Sequence, residues 1–193
     1  FKKYDVTNKI LSITFDNHPT NTATIDMFKR VLHPPFGGEF FHRRCACHII
    51  NLNVQDDLKL IDAQIIKIRT AINYISSSPA KLQDFFTLCK AYNLKCRKMK
   101  SDIKTRWNST YLMLESCREY YNIITDFMNE KYSCMFLSEE DWNIDFLFLE
   151  FLKIFYTATN ALSGVYYPTS SIIFSQLYNI SNTFNNYREN IFL

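Results

Sequence analysis

The sequence IDAQIIKIRTAINYIS, residues 61–76, carries an apolar stripe at helical spacing. Its isoleucines at positions 61, 65, 68, 72 and 75 follow one another at intervals of four and three residues, which places them on one face of an α-helix. The run Ser76-Ser77-Ser78-Pro79 then ends the helix. Because an apolar face must be buried, this stretch predicts a helix packed within a larger helical region.

Further helices are predicted downstream of this stripe. They cover residues 80–92, 111–130, 139 to about 162, and roughly 170–189, with a basic loop between the first two. Ser138 with an acidic residue three positions on forms a capping box, which predicts the start of the third of these helices.

The pattern upstream of the stripe predicts two short strands that alternate with two helices. Residues 10–15 are rich in β-formers and predict a buried strand. Residues 19–22 offer helix-cap chemistry, and a helix is predicted over residues 23–32. Residues 40–44 predict a second strand, and a helix begins near Cys47.

The predicted fold class is therefore α/β plus all-α. Residues 1–57 have the order strand-helix-strand-helix, and residues 58–193 are mostly helical. This order suggests the back part of an α/β domain followed by a helical insertion.

The composition is that of a globular protein. Hydrophobic residues make up 47% and charged residues 21% of the 193 residues, so disorder is not expected over most of the chain. The 17 Phe and 12 Tyr can build a core, whereas the presence of only 3 Gly argues against a turn-rich all-β fold. No apolar run of about 18 residues occurs, so no membrane partner is expected. The 6 cysteines form no regular framework, which fits reduced thiols in an intracellular protein.

Positive charge is concentrated in one segment, although the net charge of the chain is only +3. Between residues 90 and 106 seven basic residues stand against one acid, Asp102. Such a cluster attracts phosphates by releasing counterions, which makes Lys98, Lys100 and Lys104 candidate DNA contacts. A solvated loop without a ligand is the alternative.

Asp16 and Asn17 follow the first predicted strand. The end of a strand fixes the direction of a carboxylate, and α/β sheets place metal ligands there. Hard cations such as Mg²⁺ take oxygen ligands, so Asp16 is a candidate catalytic residue and metal ligand. Asp-Asn is also an ordinary turn signal, and that alternative stays open.

Cys45 and His48 have the spacing Cys-x-x-His. A structural zinc site needs four ligands, usually as two pairs. Cys47 or His42 could supply a third ligand, but no second pair follows nearby. A buried Cys-His pair that closes a strand–helix junction is the alternative.

Arg106 and Trp107 follow the basic loop. An exposed Trp can stack on an unpaired base, and Arg can bind a phosphate through two hydrogen bonds. In the alternative, Trp107 is a core anchor at a helix start that is capped by Asn108 or Ser109.

Three motifs in this order resemble the core of hAT-superfamily transposases, and the subgroup of greatest similarity is the plant zinc-finger-BED proteins of the RICESLEEPER type. The motifs are Asp-Asn-x-x-x-Asn at residues 16–21, Phe-His-x-Arg-Cys-x-x-His-Ile-x-Asn-Leu at residues 41–52 and Thr-Arg-Trp-Asn-Ser-Thr-Tyr-x-Met-Leu at residues 105–114. Ser-Glu-Glu-Asp-Trp at residues 138–142 and Tyr-Pro-Thr-Ser at residues 167–170 extend the resemblance over nearly the whole chain.

The resemblance implies a cut-and-paste transposase whose RNase-H-like catalytic domain is split by a helical insertion. It assigns residues 1–57 to the C-terminal part of the RNase-H-like core and residues 58–193 to the insertion. In this family two Asp and one Glu hold two Mg²⁺ ions for phosphodiester transfer, and Asp16 matches the second Asp.

The resemblance also implies DNA-binding roles. Cys45 and His48 match a Cys-x-x-His that lies near the active site and the DNA ends. Arg106 and Trp107 match an Arg-Trp pair in which the Trp helps to hold a flipped base or hairpin end.

The sequence departs from the family pattern in ways that weaken a catalytic role. His18-Pro19 replaces the usual small residue after Asp-Asn, and Arg43 replaces a common Val, which fits a degenerating or repurposed copy. We expect the first Asp of the family to lie before Phe1 and the Glu after Leu193, and no BED zinc finger occurs in the chain. Since one carboxylate cannot organise two metals, no strand transfer is expected of this fragment, and Mg²⁺ is expected only in the complete enzyme.

The prediction for function is a DNA-binding fragment of a hAT-type transposase or transposase-derived protein, located in the nucleus by resemblance. The alternatives are a domesticated transcriptional regulator and a protein-interaction scaffold, both without catalysis. DNA is the expected partner, and any homo-oligomer is expected to form through a C-terminal region that the chain lacks.

Overall fold

A computed structural model describes most of the chain, in the ranges 2–4, 9–103, 106–132 and 137–191. The chain separates into two units, Phe1–Leu52 and Asn53–Leu193. This division and the predicted boundary at residue 57 both fall inside one helix, Ala46–Leu58. The assignment of the two parts to a catalytic core and an insertion stays a prediction.

The first unit contains two parallel strands that alternate with helices, as the sequence predicts. In chain order they are β1 (Ile13–Phe15), α1 (Pro19–Leu32), β2 (His42–Arg44) and α2 (Ala46–Leu58). In the register of the two strands, Ile13 pairs with His42 and Phe15 pairs with Arg44. The prediction of a buried strand over residues 10–15 is wrong, because β1 is shorter and only half-buried. Within the described residues the sheet has two strands, so only a short ladder forms.

Helix α1 begins at Pro19, earlier than the predicted residue 23. His18 is its N-cap, and the His18 imidazole accepts a hydrogen bond from the backbone N–H of Thr20 at 3.4 Å. Proline at the first helical position loses no hydrogen bond, and its fixed φ already fits a helix. Residues 19–22, expected to form the cap, are therefore the first turn of the helix.

The second unit is a helical bundle. Its helices are α3 (Asp62–Ser76), α4 (Pro79–Ala91), α5 (Trp107–Cys117), α6 (Tyr121–Lys131), α7 (Glu139–Leu162) and α8 (Ile173–Ile191). Four isoleucines of the predicted stripe, Ile65, Ile68, Ile72 and Ile75, are buried in α3 as expected. The fifth, Ile61, ends a 3₁₀ turn before the helix and is half-buried. None of the helices described is long and apolar enough to cross a membrane.

The prediction of a single helix over residues 111–130 is wrong, because the chain turns between α5 and α6. Tyr120 is buried at this turn, and its hydroxyl donates a hydrogen bond to the backbone oxygen of Lys95 at 2.7 Å. Its ring also lies under the Arg97 guanidinium, 4.8 Å from the ring centroid. Both contacts come from the basic loop, which is distant in sequence. The residues at the turn include no glycine or proline, so the local sequence does not predict it.

Helix α7 starts at the predicted capping box. The Ser138 hydroxyl accepts a hydrogen bond from the backbone N–H of Asp141, and the Asp141 carboxylate accepts one from the backbone N–H of Ser138. The same carboxylate accepts hydrogen bonds from the Lys67 ammonium at 2.6 and 2.8 Å. The cap therefore also connects α7 to α3.

The last predicted helix is confirmed with a small shift. A 3₁₀ turn, Ser170–Ile172, precedes α8. Helix α8 packs on α7 through Phe184, whose ring centroid lies 5.4 Å from that of Phe151 and 6.0 Å from that of Phe155.

Candidate functional site

The carboxyl ends of the two parallel strands bring three predicted site residues together in the first unit. Asp16 comes directly after β1, and Cys45 directly after β2. The backbone N–H of Cys45 donates a hydrogen bond to the Phe15 oxygen at 2.8 Å, which extends the ladder to this edge. His48, in the first turn of α2, is close enough to Asp16 to lower the pKa of its carboxyl.

The Asp16 carboxylate is exposed and held in the turn that leads into α1. One of its oxygens accepts hydrogen bonds from the backbone N–H of His18 at 3.1 Å and from the Asn21 side-chain amide at 2.5 Å. The pKa of Asp16 is lowered by the bond from His18, by the bond from Asn21 and by the charges of His48 and His18. Asp16 therefore stabilises the turn after β1, as one of the two interpretations predicted. Its role as a metal ligand stays a prediction.

Cys45 and His48 close a strand–helix junction in the described geometry. The backbone oxygen of Cys45 accepts hydrogen bonds from the N–H groups of His48 and Ile49, both at 3.1 Å, as α2 begins. Both side chains are half-buried. Among the described residues no three His, Cys, Asp or Glu side chains come together in a group that could hold a metal ion, so the zinc alternative finds no ligand set there.

The basic loop, residues 92–106, connects α4 to α5 in the second unit, and its described residues, 92–103 and 106, lie in no helix or strand. Its backbone is nevertheless fixed at several points by hydrogen bonds to the helices on either side. These bonds are Leu94 N–H to Cys89 O (2.8 Å), Tyr120 O–H to Lys95 O (2.7 Å), Lys100 N–H to Ser116 Oγ (3.1 Å) and Ile103 N–H to Ser109 Oγ (2.7 Å). These bonds hold the loop backbone from residue 94 to residue 103.

Asp102, the single acid of the basic stretch, points into the protein. None of its side chain is exposed, and one carboxylate oxygen accepts hydrogen bonds from Nε and Nη2 of Arg69 at 2.8 and 2.5 Å. The other oxygen accepts hydrogen bonds from the hydroxyls of Ser109 and Thr110 at 2.8 and 3.0 Å. The negative charge of the stretch is thus neutralised internally by Arg69.

The charged side chains that face outward in the described part of the basic loop are all cationic. The exposed basic residues described there are Lys95, Arg97, Lys98, Lys100 and Arg106. Met99, between Lys98 and Lys100, is buried, so its side chain anchors the loop to the protein interior. Arg97 lies 3.5 Å from Glu119, whereas no carboxylate pairs with Lys98 or Lys100 in the part of the chain that is described. The predicted site residue Lys104 lies outside the described residues.

A cavity of about 240 Å³ lies beside the loop. Arg97 and Lys100 line it together with Arg118, which pairs with Glu150 on α7. Glu115 and Glu119 also line the cavity, so its charge is mixed. No local sequence pattern indicates Arg118, because only the packing of α5 against the loop brings its side chain to the cavity.

Trp107 is buried as the first residue of α5, with 2% of its surface exposed. Trp107 is therefore a core residue, as the alternative interpretation predicted. Arg106 is exposed, so the two side chains do not form an exposed Arg-Trp pair. The expected cap at Asn108 or Ser109 is wrong, since Arg106 is the N-cap and caps through no side chain. Ser109 instead uses its hydroxyl to hold Asp102 and the backbone of Ile103.

The family is established by comparison with known proteins. The family model described as the ZBED1 RNase-like helical domain matches residues 43–146, more than half of the chain. The chain belongs to this family, and it is a hAT transposase-like protein.

Named relatives agree with this class. A Zea mays protein named as an AC transposase is 29% identical over 181 residues, which is 89% of this chain and 22% of that protein. RICESLEEPER 2, a zinc finger BED domain-containing protein of Oryza sativa subsp. japonica, is 27% identical over 195 residues, 95% of this chain and 26% of its own. A Talaromyces stipitatus protein named as the transcriptional regulator tpeD is 25% identical over 210 residues, 92% of this chain and 24% of its own.

The chain spans about a quarter of the length of these relatives. No solved structure matches it. The predicted resemblance to hAT transposases and to RICESLEEPER proteins is confirmed.

Proposed function

We propose that this chain is a DNA-binding region of a hAT-type transposase or transposase-derived protein that acts in the nucleus. The observation that carries the proposal is the inward position of Asp102, because the charged side chains described on the outer side of the loop are then all basic. The names of the relatives, which include a transposase and a transcriptional regulator, support it.

The loop binds DNA through its phosphates in this proposal. Lys98, Lys100 and Lys104 act as point charges, and Arg106 binds a phosphate oxygen pair through its guanidinium. Because the loop backbone is already fixed, little conformational entropy is lost when DNA binds. Contacts of this kind position a duplex without reading its sequence.

Cys45 and His48 contribute separately in the first unit. They lie at the strand edge beside Asp16, where the family resemblance puts the DNA ends. Their loss is expected to weaken binding to a transposon end more than binding to a random duplex.

The test of the loop is duplex binding by fluorescence anisotropy over a series of salt concentrations. Each lost phosphate contact reduces the slope of log K against log salt by roughly 0.9, so Lys98→Gln with Lys100→Gln is expected to reduce it by about two. The control is Lys59→Gln with Lys153→Gln, which removes equal charge from exposed positions outside the loop.

An equal effect of both double variants would show that net charge, and not the loop, determines binding. Weak binding by the wild-type chain that ignores salt would favour a scaffold that does not use DNA.

Catalysis is proposed only for a complete transposase, in which Asp16 would be one ligand of Mg²⁺. The position of Asp16 at the carboxyl edge of a parallel strand pair, with a lowered pKa that keeps it ionised, supports this role. The described residues do not fit a whole metal site, because no group of three suitable ligands occurs among them. The chain alone is therefore expected to show no Mg²⁺-dependent nicking, and nicking that disappears in Asp16→Ala would overturn this.

A regulator without chemistry is the second candidate, favoured by the relative named tpeD. In that case the loop is retained for binding while Asp16 serves only as a turn residue. Asp16→Asn would then leave DNA affinity in a full-length protein unchanged both with and without Mg²⁺.

A further inference from the structure

The loop between α1 and β2, residues 33–41, places two aromatic rings at the surface of the first unit, and we name it the aromatic loop. Phe36 is 72% and Phe40 39% exposed, whereas the next residue, Phe41, is buried. The two exposed rings meet edge to face, with their centroids 6.0 Å apart. The pair therefore presents a continuous aromatic surface outside the core.

The backbone of the aromatic loop is strained. Positive φ angles occur at His33 (44°), Phe36 (55°), Gly37 (61°) and Gly38 (79°), and Asn93 has the one other positive φ among the described residues. Such a φ is unfavourable for a side chain as bulky as Phe, so it persists where the surrounding structure enforces it, and strain of this kind clusters at binding sites. Three backbone hydrogen bonds enforce it here: Gly38 N–H to Pro35 O (3.1 Å), Glu39 N–H to Phe36 O (3.2 Å) and Phe41 N–H to Gly38 O (3.2 Å).

Two basic side chains flank the aromatic loop. The Arg43 guanidinium lies over the Phe40 ring, 5.0 Å from its centroid. The stem of Lys29, on α1, packs across Gly38, where an added Cβ atom would lie 3.3 Å from its Cγ, Cδ and Cε. Within the described part of the chain, no carboxylate forms an ion pair with Lys29 or Arg43. The aromatic surface therefore lies beside two cations that are available to an anion.

This combination of rings and cations indicates the chemistry of the ligand. An unpaired base has an open face that stacks on an aromatic ring, and a phosphate follows each base and can meet a cation. In a duplex the base faces are covered by their neighbours, so the rings would have no partner. An apolar protein segment would cover the rings but leave the cations without anions, and an acidic segment would do the reverse. A single strand uses both parts of the surface.

We propose that Phe36 and Phe40 form a stacking site for unpaired bases of a single-stranded nucleic acid, and that Lys29 and Arg43 bind the adjoining phosphates. Arg43 stands where the family pattern has Val, which could bind no phosphate, so the site is a feature of this chain. It lies in the first unit and takes a different ligand from the basic loop. The proposal therefore does not depend on duplex binding by the second unit.

Fluorescence anisotropy of a short labelled oligothymidylate tests the site, with a duplex as the comparison. Phe36→Leu with Phe40→Leu keeps apolar side chains but removes both rings. It is expected to weaken oligothymidylate binding at least about tenfold and to leave duplex binding unchanged. Phe174→Leu with Tyr178→Leu is the matched control, because it removes two exposed rings from α8 in the second unit. Circular dichroism of both double variants verifies that they are folded.

The cation is tested in the same assay. Arg43→Gln is expected to reduce the slope of log K against log salt for oligothymidylate by about 0.7, the value for one phosphate of a single strand. Lys153→Gln, which removes an exposed lysine of α7, is the control and should leave that slope unchanged.

Phe36→Trp gives a direct signal of stacking. Trp107 and Trp142 are buried, so the indole at the aromatic loop is the exposed emitter of this variant. Oligothymidylate is expected to quench its emission, and a duplex is not. The quenching should persist when Lys98→Gln and Lys100→Gln are added, which separates this site from the basic loop. Oligouridylate in a parallel titration distinguishes RNA from DNA as the source of the single strand.

Four outcomes would each overturn the proposal. They are a wild-type chain that does not bind oligothymidylate, a Phe36→Leu, Phe40→Leu variant that binds it like wild type, an equal loss in the α8 control, and a Phe36→Trp variant that the single strand does not quench.

Discussion

Arg69 on α3 and Asp102 in the basic loop, 33 residues apart in the sequence, form an ion pair whose acid is fully buried. The guanidinium donates both its Nε and Nη2 hydrogens to one oxygen of the carboxylate. Because Ser109 and Thr110 occupy the other oxygen, the carboxylate has hydrogen bonds on both sides. This single side chain therefore connects the loop to two helices.

Removal of Arg69 is expected to destabilise the second unit strongly. Arg69→Met leaves a buried carboxylate without its cation, and such changes cost about 3–5 kcal/mol of unfolding free energy. Urea unfolding measures this cost. Arg118→Met is a matched control, because the Arg118–Glu150 pair is more than 40% exposed on both sides and is expected to contribute at most about 1 kcal/mol.

Removal of both charges should restore much of the loss, since Arg69→Met with Asp102→Asn leaves no buried ion. A single Arg69→Met variant as stable as wild type would contradict the buried pair.

Loss of the Ser109 hydroxyl is expected to loosen the loop without unfolding the helices. Ser109→Ala removes the acceptor of the Ile103 N–H and one donor to Asp102, which costs about 1–3 kcal/mol. Hydrogen exchange at the Ile103 amide reports on this directly and should become faster. Ser101→Ala, an exposed neighbour, is the control and should leave exchange at Ile103 unchanged.

Asp145 on α7 makes the stability of the second unit depend on pH. Its side chain is fully buried, and neither of its carboxylate oxygens has a hydrogen-bond partner among the described residues. Burial, aided by the nearby Asp141 carboxylate and opposed by Lys67, raises the pKa of Asp145 from 3.8 to about 7. The folded protein therefore keeps a proton that the unfolded chain releases at lower pH.

The unfolding free energy is expected to fall as pH rises from about 4 to about 7, by an amount on the order of 4 kcal/mol from this group. Asp145→Asn removes the dependence, so its stability advantage over wild type grows across that window. Urea unfolding of both proteins over the pH series measures the difference. A difference that is constant with pH would show that Asp145 is ionised in the fold.

Asp141 is expected to act at a different pH. Burial opposes its ionisation, but the bonds from Lys67 and Ser138 outweigh it and lower the pKa of Asp141. Its stabilising contribution is present above pH 3.8 and is lost only in more acidic solution, so the two carboxyls can be distinguished in the same titration.

Intrinsic fluorescence tests whether Trp107 meets DNA. The chain has 2 Trp, and Trp107 and Trp142 are each 2% exposed. Acrylamide is therefore expected to quench the emission weakly, and bound DNA should leave it unchanged. Trp142→Phe isolates the signal of Trp107. Strong quenching by DNA in this variant would mean that Trp107 leaves the core to stack on a base, as the family resemblance implies.

The elements of the fold were predictable where a local pattern decides them. The isoleucines of α3 and the capping box at Ser138 act within a few residues, and the structure has both. The predicted start of α1 lies four residues too late. Histidine is an uncommon N-cap, so the sequence does not identify His18 as the cap or Pro19 as the first helical residue. The turn at Tyr120 could not be predicted, since it depends on contacts with the basic loop.

The candidate site was predictable in its residue types but not in the direction of its side chains. The charge count of the basic stretch identified the loop, whereas the inward position of Asp102 depends on Arg69 in a different helix. Trp107 had two open interpretations because an aromatic residue at a helix start has the same local sequence whether it is buried or exposed. Asp16 and His48 were predicted separately, and the parallel register of β1 and β2 places them at one edge.

The basic loop separates the side chains that set its shape from those that face outward. Met99 and the Asp102 side chain are buried, whereas Lys98 and Lys100 are exposed. The outward positions are therefore open to exchange by mutation without refolding of the domain. Under the proposed function, the affinity of such a chain for nucleic acid can therefore change one side chain at a time, and the same positions are the natural choice for a library of variants that seeks a new target.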